Sequence, residues 1–212
     1  MLINKAVLID MLTAASDLWQ KNTGLLSEID SRFGDGDHGV AIGKIAGLTT
    51  TRTQSWDTET IGEFINGLGE GIMVIGGGSA GPLYGTMIGG LSVALDDHEE
   101  IDANLLKKML EACLDEMTGI TRAQVGDKTM MDALIPAVEA GMAASGDIID
   151  ILEAAAKAAA DGAKSTEGFP SKFGRARSYG NQTIGTPDAG AISTSLLFQG
   201  LYEGFKNSQE KQ

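Results

Sequence analysis

The sequence predicts an all-α protein. Apolar residues recur three and four positions apart along most of the chain, and nothing sustains the period-two alternation of a half-buried strand. About eight such segments stand out between capping residues and glycine-rich turns. At 212 residues and 42% hydrophobic composition, the chain can bury one sizeable core or at most two small ones, and a single domain is the simpler expectation.

The first segment runs from about Asn4 to Lys21, with Val7, Leu8, Met11, Leu12, Ala15 and Leu18 on one face. The second begins near His38 and carries Ile42, Ile45 and Leu48. Thr58 to Ile75 follows, with Thr58 a candidate N-cap ahead of Ile61, Phe64, Ile65, Leu68 and Ile72. Pro82 opens a segment reaching about Asp96, in a first-turn position where no amide donor is needed. Asp102 to about Thr118, Lys128 to Ser145, Asp147 to Ser165 and Gly190 to Phe205 complete the set. Within them, alanine-rich Glu153 to Ala160 is a strong helix former that permits close packing. Glu167 to Asp188 is the one long non-helical connection, and a loop of that length in a compact domain is either functional or disordered.

Charge and cysteine content narrow the function classes. Sixteen Lys and Arg face 29 Asp and Glu, a formal net charge of -13. Nothing resembles a basic patch, which argues against nucleic acid or an anionic membrane surface as the main partner. A phosphate ligand would need metal ions to do most of the charge work. The single cysteine, Cys113, lies on the apolar spacing of its segment and reads as a core residue, and no disulfide can form within one chain. Met1 to Gln20 carries Asp10 and Asp17 and lacks the unbroken apolar region of a signal peptide. No run reaches the roughly 18 apolar residues of a spanning helix, so the expected location is the cytoplasm.

The densest chemistry lies in Asp30-Ser31-Arg32-Phe33-Gly34-Asp35-Gly36-Asp37-His38-Gly39. Three aspartates this close repel one another unless cations neutralise them, and oxygen-only ligands suit Mg²⁺ or Ca²⁺. The bland alternative is a solvated acidic loop whose last aspartate caps the next helix. Two glycine-rich turns, Gly76 to Pro82 and Gly126-Asp127-Lys128-Thr129, precede helical segments and could present backbone amides to a phosphate or ribose. Neither fits the P-loop spacing, and each alone could simply be a helix connection in which glycine allows close crossing. The long connection holds Arg175, Arg177, Tyr179 and Asp188 among glycines, so it reads either as a lid over a charged ligand or as a mobile surface loop.

These motifs occur in the order found in one family. Asp30, Asp35 and Asp37 in the acidic loop, Gly77 to Pro82, Gly126 to Met130, Gly174-Arg175-Ala176, Ile184-Gly185 and Asp188-Ala189-Gly190 resemble the nucleotide-binding L subunit of dihydroxyacetone kinases, over residues about 4 to 206. The resemblance implies an antiparallel barrel of eight amphipathic helices in a single domain, with a lid at about 167–188. It implies that Asp30, Asp35 and Asp37 hold two Mg²⁺ ions bridging the phosphates of ADP or ATP. Three carboxylates and a diphosphate sum to roughly -6, which two Mg²⁺ reduce to about -2. By position, His38, Gly39, Val40 and Ala41 lie beside the phosphates, Ser79, Ala80 and Thr121 near the nucleotide, Met130 against the base, and Arg175 with Asp188, Ala189 and Gly190 in the lid. Ala41 stands where bacterial relatives commonly have asparagine, and Ala189 where proline is common.

What the family does follows from the same resemblance. A phosphoryl group passes from bound nucleotide to dihydroxyacetone or a similar short ketose held in a separate K subunit. ADP is rephosphorylated in place by a phosphotransferase-system phosphohistidine protein (M subunit), or else free ATP exchanges. A homodimer or a heterotetramer with K is the expected assembly. A competing expectation from another class is a non-catalytic nucleotide or metal sensor that regulates a partner. An EF-hand is a weak version of it, because the loop lacks the bidentate glutamate at position twelve.

Overall fold

A computed structural model describes residues 2–211. Among them are eight α-helices: α1 (Lys5–Ser31), α2 (His38–Ser55), α3 (Ile61–Met73), α4 (Ala80–Gly90), α5 (Ala103–Ile120), α6 (Met131–Ala143), α7 (Ile148–Ser165) and α8 (Ala189–Glu210). Each helix packs on the next in sequence, and α8 returns to α1 to close an antiparallel barrel around one hydrophobic cluster. No helix among the described residues is long and apolar enough to cross a membrane.

Glycines set how closely the walls approach. A Cβ on Gly200 would stand 2.3 Å from Ala15 Cα, and one on Gly204 2.4 Å from Met11 Cα, so α8 lies with its backbone against α1. Gly69 and Gly89 make a similar approach between α3 and α4, where a Cβ on Gly69 would lie 2.6 Å from Gly89 Cα. As one helix advances its partner retreats, which gives the antiparallel sense.

Local chemistry moves several expected boundaries. Helix α1 runs ten residues beyond Lys21, because Leu26 and Ile29 continue its buried stripe and the exposed Gly24 does not break it. Trp19 is fully buried while Leu18 is only half-buried, so the aromatic ring carries that turn of the core. The cap of α3 is Thr60 rather than Thr58, through a capping box with Glu63. Helix α4 stops at Gly90, short of Asp96, whose φ of 40° is incompatible with a helix. Helix α6 starts at Met131 because Lys128 is left-handed (φ 61°). Segment 167–188 is not wholly irregular: 3₁₀ turns occupy Thr166–Gly168 and Arg175–Thr183, the second broken at Gly180. Cys113 is buried, and desolvation pushes its thiol up to about 12, which leaves it inert.

The antiparallel ring has a consequence for function. The α1–α2, α3–α4, α5–α6 and α7–α8 connections all fall at one end of the barrel. They are the acidic loop, the two glycine-rich turns and the lid. The N-termini of α2, α4, α6 and α8 therefore open towards one place, each with amides that the helix itself does not use.

Candidate functional site

The acidic loop is wound tightly by its glycines. Asp30 sits in the last turn of α1, and its carbonyl accepts from Gly34 N at 2.6 Å. A Cβ on Gly34 would lie 2.3 Å from Asp30 Oδ1, so any side chain there would displace that carboxylate. Gly36, at φ 76°, turns the chain so that Asp37 precedes α2. Asp37 occupies the N-cap position, yet its side chain makes no capping hydrogen bond. Asp30, Asp35 and Asp37 each offer one carboxylate oxygen, all within 4.8 Å of one another, the one such cluster among the described residues. The Arg175 guanidinium reaches across from the lid to pair with Asp35. Hard oxygen donors at this spacing, already drawing a cation side chain, fit an oxygen-preferring divalent ion.

His38 is held from beneath. Its Nε2 lies 2.8 Å from Ser193 Oγ, and its backbone N–H donates to Asp30 Oδ2 at 3.3 Å. Ser193 in turn lies 2.6 Å from the Tyr84 hydroxyl, which is also within reach of Thr194 Oγ1 at 3.0 Å and the Gly190 carbonyl at 3.1 Å. Trp19 packs edge-on against Tyr84 and donates to the Ser193 carbonyl at 2.8 Å. Burial lowers the His38 pKa, and the Asp30 charge only partly opposes it, so the ring is neutral near pH 7. A neutral imidazole fixed in this way orients a hydrogen bond and does not neutralise charge.

Between the four loops lies a cavity of about 520 Å³, within the few hundred to roughly 1,000 Å³ usual for a small-molecule site. Asp30, Asp35, Asp37, His38, Ser79, Ala80, Thr121, Met130, Arg175, Asp188, Ala189 and Gly190 all line it. Gly39, Val40 and Ala41 do not. Gly39 is pressed into α1, where a Cβ would meet Thr23 O at 2.0 Å; Val40 is 56% exposed; and Ala41 is buried under Gly77. Ser79, N-cap of α4, makes no capping hydrogen bond, which leaves its hydroxyl beside free amides.

Sequence reading missed the residues that support the cavity. Tyr84 and Ser193 sit on helical spacing and look like ordinary core positions. Asp132 is fully buried, and its carboxylate accepts from Gly126 N at 2.6 Å and Thr129 N at 2.7 Å, so it shapes the Gly126–Thr129 turn from inside. The lid meets the acidic loop at Phe33 and Tyr179, whose rings lie 5.3 Å apart.

Asp188 caps α8 by accepting from Ala191 N at 2.8 Å. Burial, reinforced by Asp132 and Asp30 against the pull of that amide and Lys128, pushes its carboxyl up to about 7. The folded protein thus holds this proton more tightly than the unfolded chain does. Its stabilising contribution is complete below the ordinary carboxylate pKa and is lost as pH rises towards about 7. In the presence of a chelator, the wild-type melting temperature should fall across that window relative to Asp188→Asn, which keeps a capping oxygen but cannot titrate. Parallel melting curves across the window would exclude this assignment.

Comparisons with known proteins bear on the same residues. The family model described as the DAK2 domain matches residues 32–203. A "PEP-dependent dihydroxyacetone kinase 1, ADP-binding subunit DhaL" of Listeria innocua is 34% identical over 186 residues, 87% of this chain and 88% of the relative. The corresponding ADP-binding subunit of Escherichia coli K12 is 28% identical over 204 residues, 95% and 97% of the two chains. An L-erythrulose kinase of Pectobacterium atrosepticum is 30% identical over 90% of this chain, which spans only 33% of that enzyme. Among solved structures, the native dihydroxyacetone kinase of C. freundii shares the fold with a TM-score of 0.75 at 24% identity, over 95% of this chain and 34% of that one. The structure of that kinase with AMP-PNP and Mg²⁺ matches with a TM-score of 0.74 at 23% identity.

Proposed function

The chain belongs to the DAK2-domain family, and from that premise we propose that it is the ADP-binding subunit of a PEP-dependent dihydroxyacetone kinase. The observation that carries the proposal is the meeting, at one end of the barrel, of an acidic cluster with the N-termini of four helices. Helix N-termini attract the phosphates of a polyanion, and the acidic cluster beside them would hold the divalent cations that such a polyanion carries. This chain spans 88% and 97% of the two relatives named as ADP-binding subunits and 33% of the erythrulose kinase, and the subunit names support a nucleotide half that works with a ketose-binding K subunit.

Asp30, Asp35 and Asp37 would hold two Mg²⁺, which when bound supply the charge that draws the phosphates together and screens their repulsion. The rest is positioning by the protein. His38 offers a neutral hydrogen bond beside the phosphates, Ser79 and Ala80 present the start of α4, Met130 and Thr121 border the base, and Arg175 brings the lid's charge over the cluster. The open mouth of this end would face the K subunit, so that the terminal phosphoryl reaches a ketose hydroxyl with the reacting groups in line. ADP would then stay bound and be recharged by a phosphohistidine protein (M subunit), a homodimer or a heterotetramer with K being the working assembly. Val40, exposed beside the cavity, is better placed to meet a partner than the nucleotide.

The protein purified without added nucleotide, then denatured and analysed by mass spectrometry, should release close to one ADP with about two Mg²⁺. An empty protein that turns over free ATP with K would replace the phosphohistidine-recharged reading by an ATP-dependent one. A protein that retains nucleotide yet supports no transfer with K would make it a sensor.

A further inference from the structure

We propose that Lys128 is the latch of the lid: its buried ammonium sits among backbone carbonyls from both ends of that segment and so fixes the base of the lid and positions Asp188 at the cavity. The positioning role rests on the nucleotide reading above; the latch itself does not.

The geometry is unusual for a lysine. The residue is 4% exposed, and among the described residues no carboxylate oxygen lies within ion-pair distance of its ammonium. Instead Nζ donates to Thr166 O at 2.6 Å, Phe169 O at 3.1 Å and Thr183 O at 3.0 Å, and also to Thr186 O. Thr166 and Phe169 belong to the start of the lid, Thr183 and Thr186 to its end. An ammonium has three donors, so four acceptors surround it as they would a dehydrated monovalent cation. Burying a charge this way is unfavourable unless each donor is satisfied, and here the lid's own backbone satisfies them.

The turn that carries Lys128 is built to aim it. Its left-handed φ of 61° is strained for a residue with a Cβ. The neighbouring amides of Gly126 and Thr129 are held by the buried Asp132 carboxylate. On the outer side, Lys172 ties the lid to Asp127 through an ion pair at 2.7 Å and a backbone bond at 3.2 Å. The base of the lid is then stitched by Gly185 N to Glu167 O at 2.7 Å, Ser171 N to Thr183 Oγ1 at 2.9 Å and Asp188 N to Thr166 Oγ1 at 2.9 Å. With both ends gathered on one ammonium, motion is confined to the tip. Gly174 and Gly180 have positive φ and open space around them, and they bracket Arg175 and Tyr179. Ligand exchange then needs the tip to swing, while Asp188 and the start of α8 stay in place.

Hydrogen exchange on the full chain without nucleotide tests this. Lys128→Gly removes the ammonium and relieves the backbone strain; Lys128→Met keeps the volume without the charge. Both should raise exchange at Ser171, Gly185 and Asp188 about tenfold or more while leaving the buried amides of α3 and α7 unchanged. Propylammonium, which supplies the missing group, should restore slow exchange in Lys128→Gly but not in Lys128→Met, where the space is filled. Unchanged exchange at the lid base in both variants would overturn the latch. So would faster exchange spread over the whole chain that propylammonium fails to restore, since that marks a general packing role. Because no ligand is present, a failure of the nucleotide reading would leave this outcome interpretable.

Discussion

Asp35→Ala is expected to lower phosphoryl transfer with the K subunit by about 10³-fold or more while leaving the helices intact. The stability change has a sign that magnitudes decide. In the metal-free protein Asp35 loses its pair with Arg175, but both side chains are substantially exposed (41% and 64%), and such a pair contributes about 0.2–1 kcal/mol. Against that, the substitution removes a charge from a cluster whose oxygens lie within 4.8 Å of one another. Like charges at that range repel by roughly 1–4 kcal/mol, depending on local screening. The variant should therefore melt at the same temperature as wild type or higher in a chelator. Added Mg²⁺ should stabilise wild type more than the variant, because only an ion that binds the folded state shifts the melt. Transfer activity within tenfold of wild type, or an equal Mg²⁺ response in both proteins, would remove Asp35 from the metal site.

Gly200→Leu should be strongly destabilising although it lies away from the site. Considered in an isolated helix it would be favourable by nearly 1 kcal/mol, since glycine is a poor helix former. In the barrel its Cβ would meet the Cα and N of Ala15 at 2.3 and 2.6 Å. Those are backbone atoms and cannot rotate away. Helix α8 would have to lift off α1, the most extensive helix pair of the barrel, at a net loss of about 2–4 kcal/mol. The melting temperature should drop by roughly 5–15 °C for a chain of this size. Gly24→Ala is the matched control: that glycine lies exposed on α1 with nothing within 4 Å of the added atom, and the change should stabilise by about 0.5–1 kcal/mol. Urea titrations of both variants decide the matter. A neutral Gly200→Leu would mean that the α1–α8 contact is looser than its geometry.

Much of this protein was legible along the chain. The eight helices follow from apolar spacing, and their starts from caps such as Asp102 and Asp147, because periodicity and capping act over a few residues. The acidic loop and the lid stand out for the same reason: clustered like charge and a long irregular segment are local anomalies that ask for a ligand. The ends of α1 and α4 were less legible, since a glycine near a helix end either breaks it or is carried through according to what its neighbours bury.

Tertiary structure alone decided where these local features meet. Closure of α8 onto α1 brings four connections, far apart in sequence, to one end of the barrel, and no local pattern encodes that closure. It also separated residues that are adjacent in sequence: His38 faces the cavity, whereas Gly39 is glycine because α1 passes against it. And it turned Lys128, which by its motif could equally have met a phosphate, inwards to the lid's carbonyls. A buried charge is directed by whatever acceptors the fold places around it, and those come from residues about forty to sixty positions away along the chain.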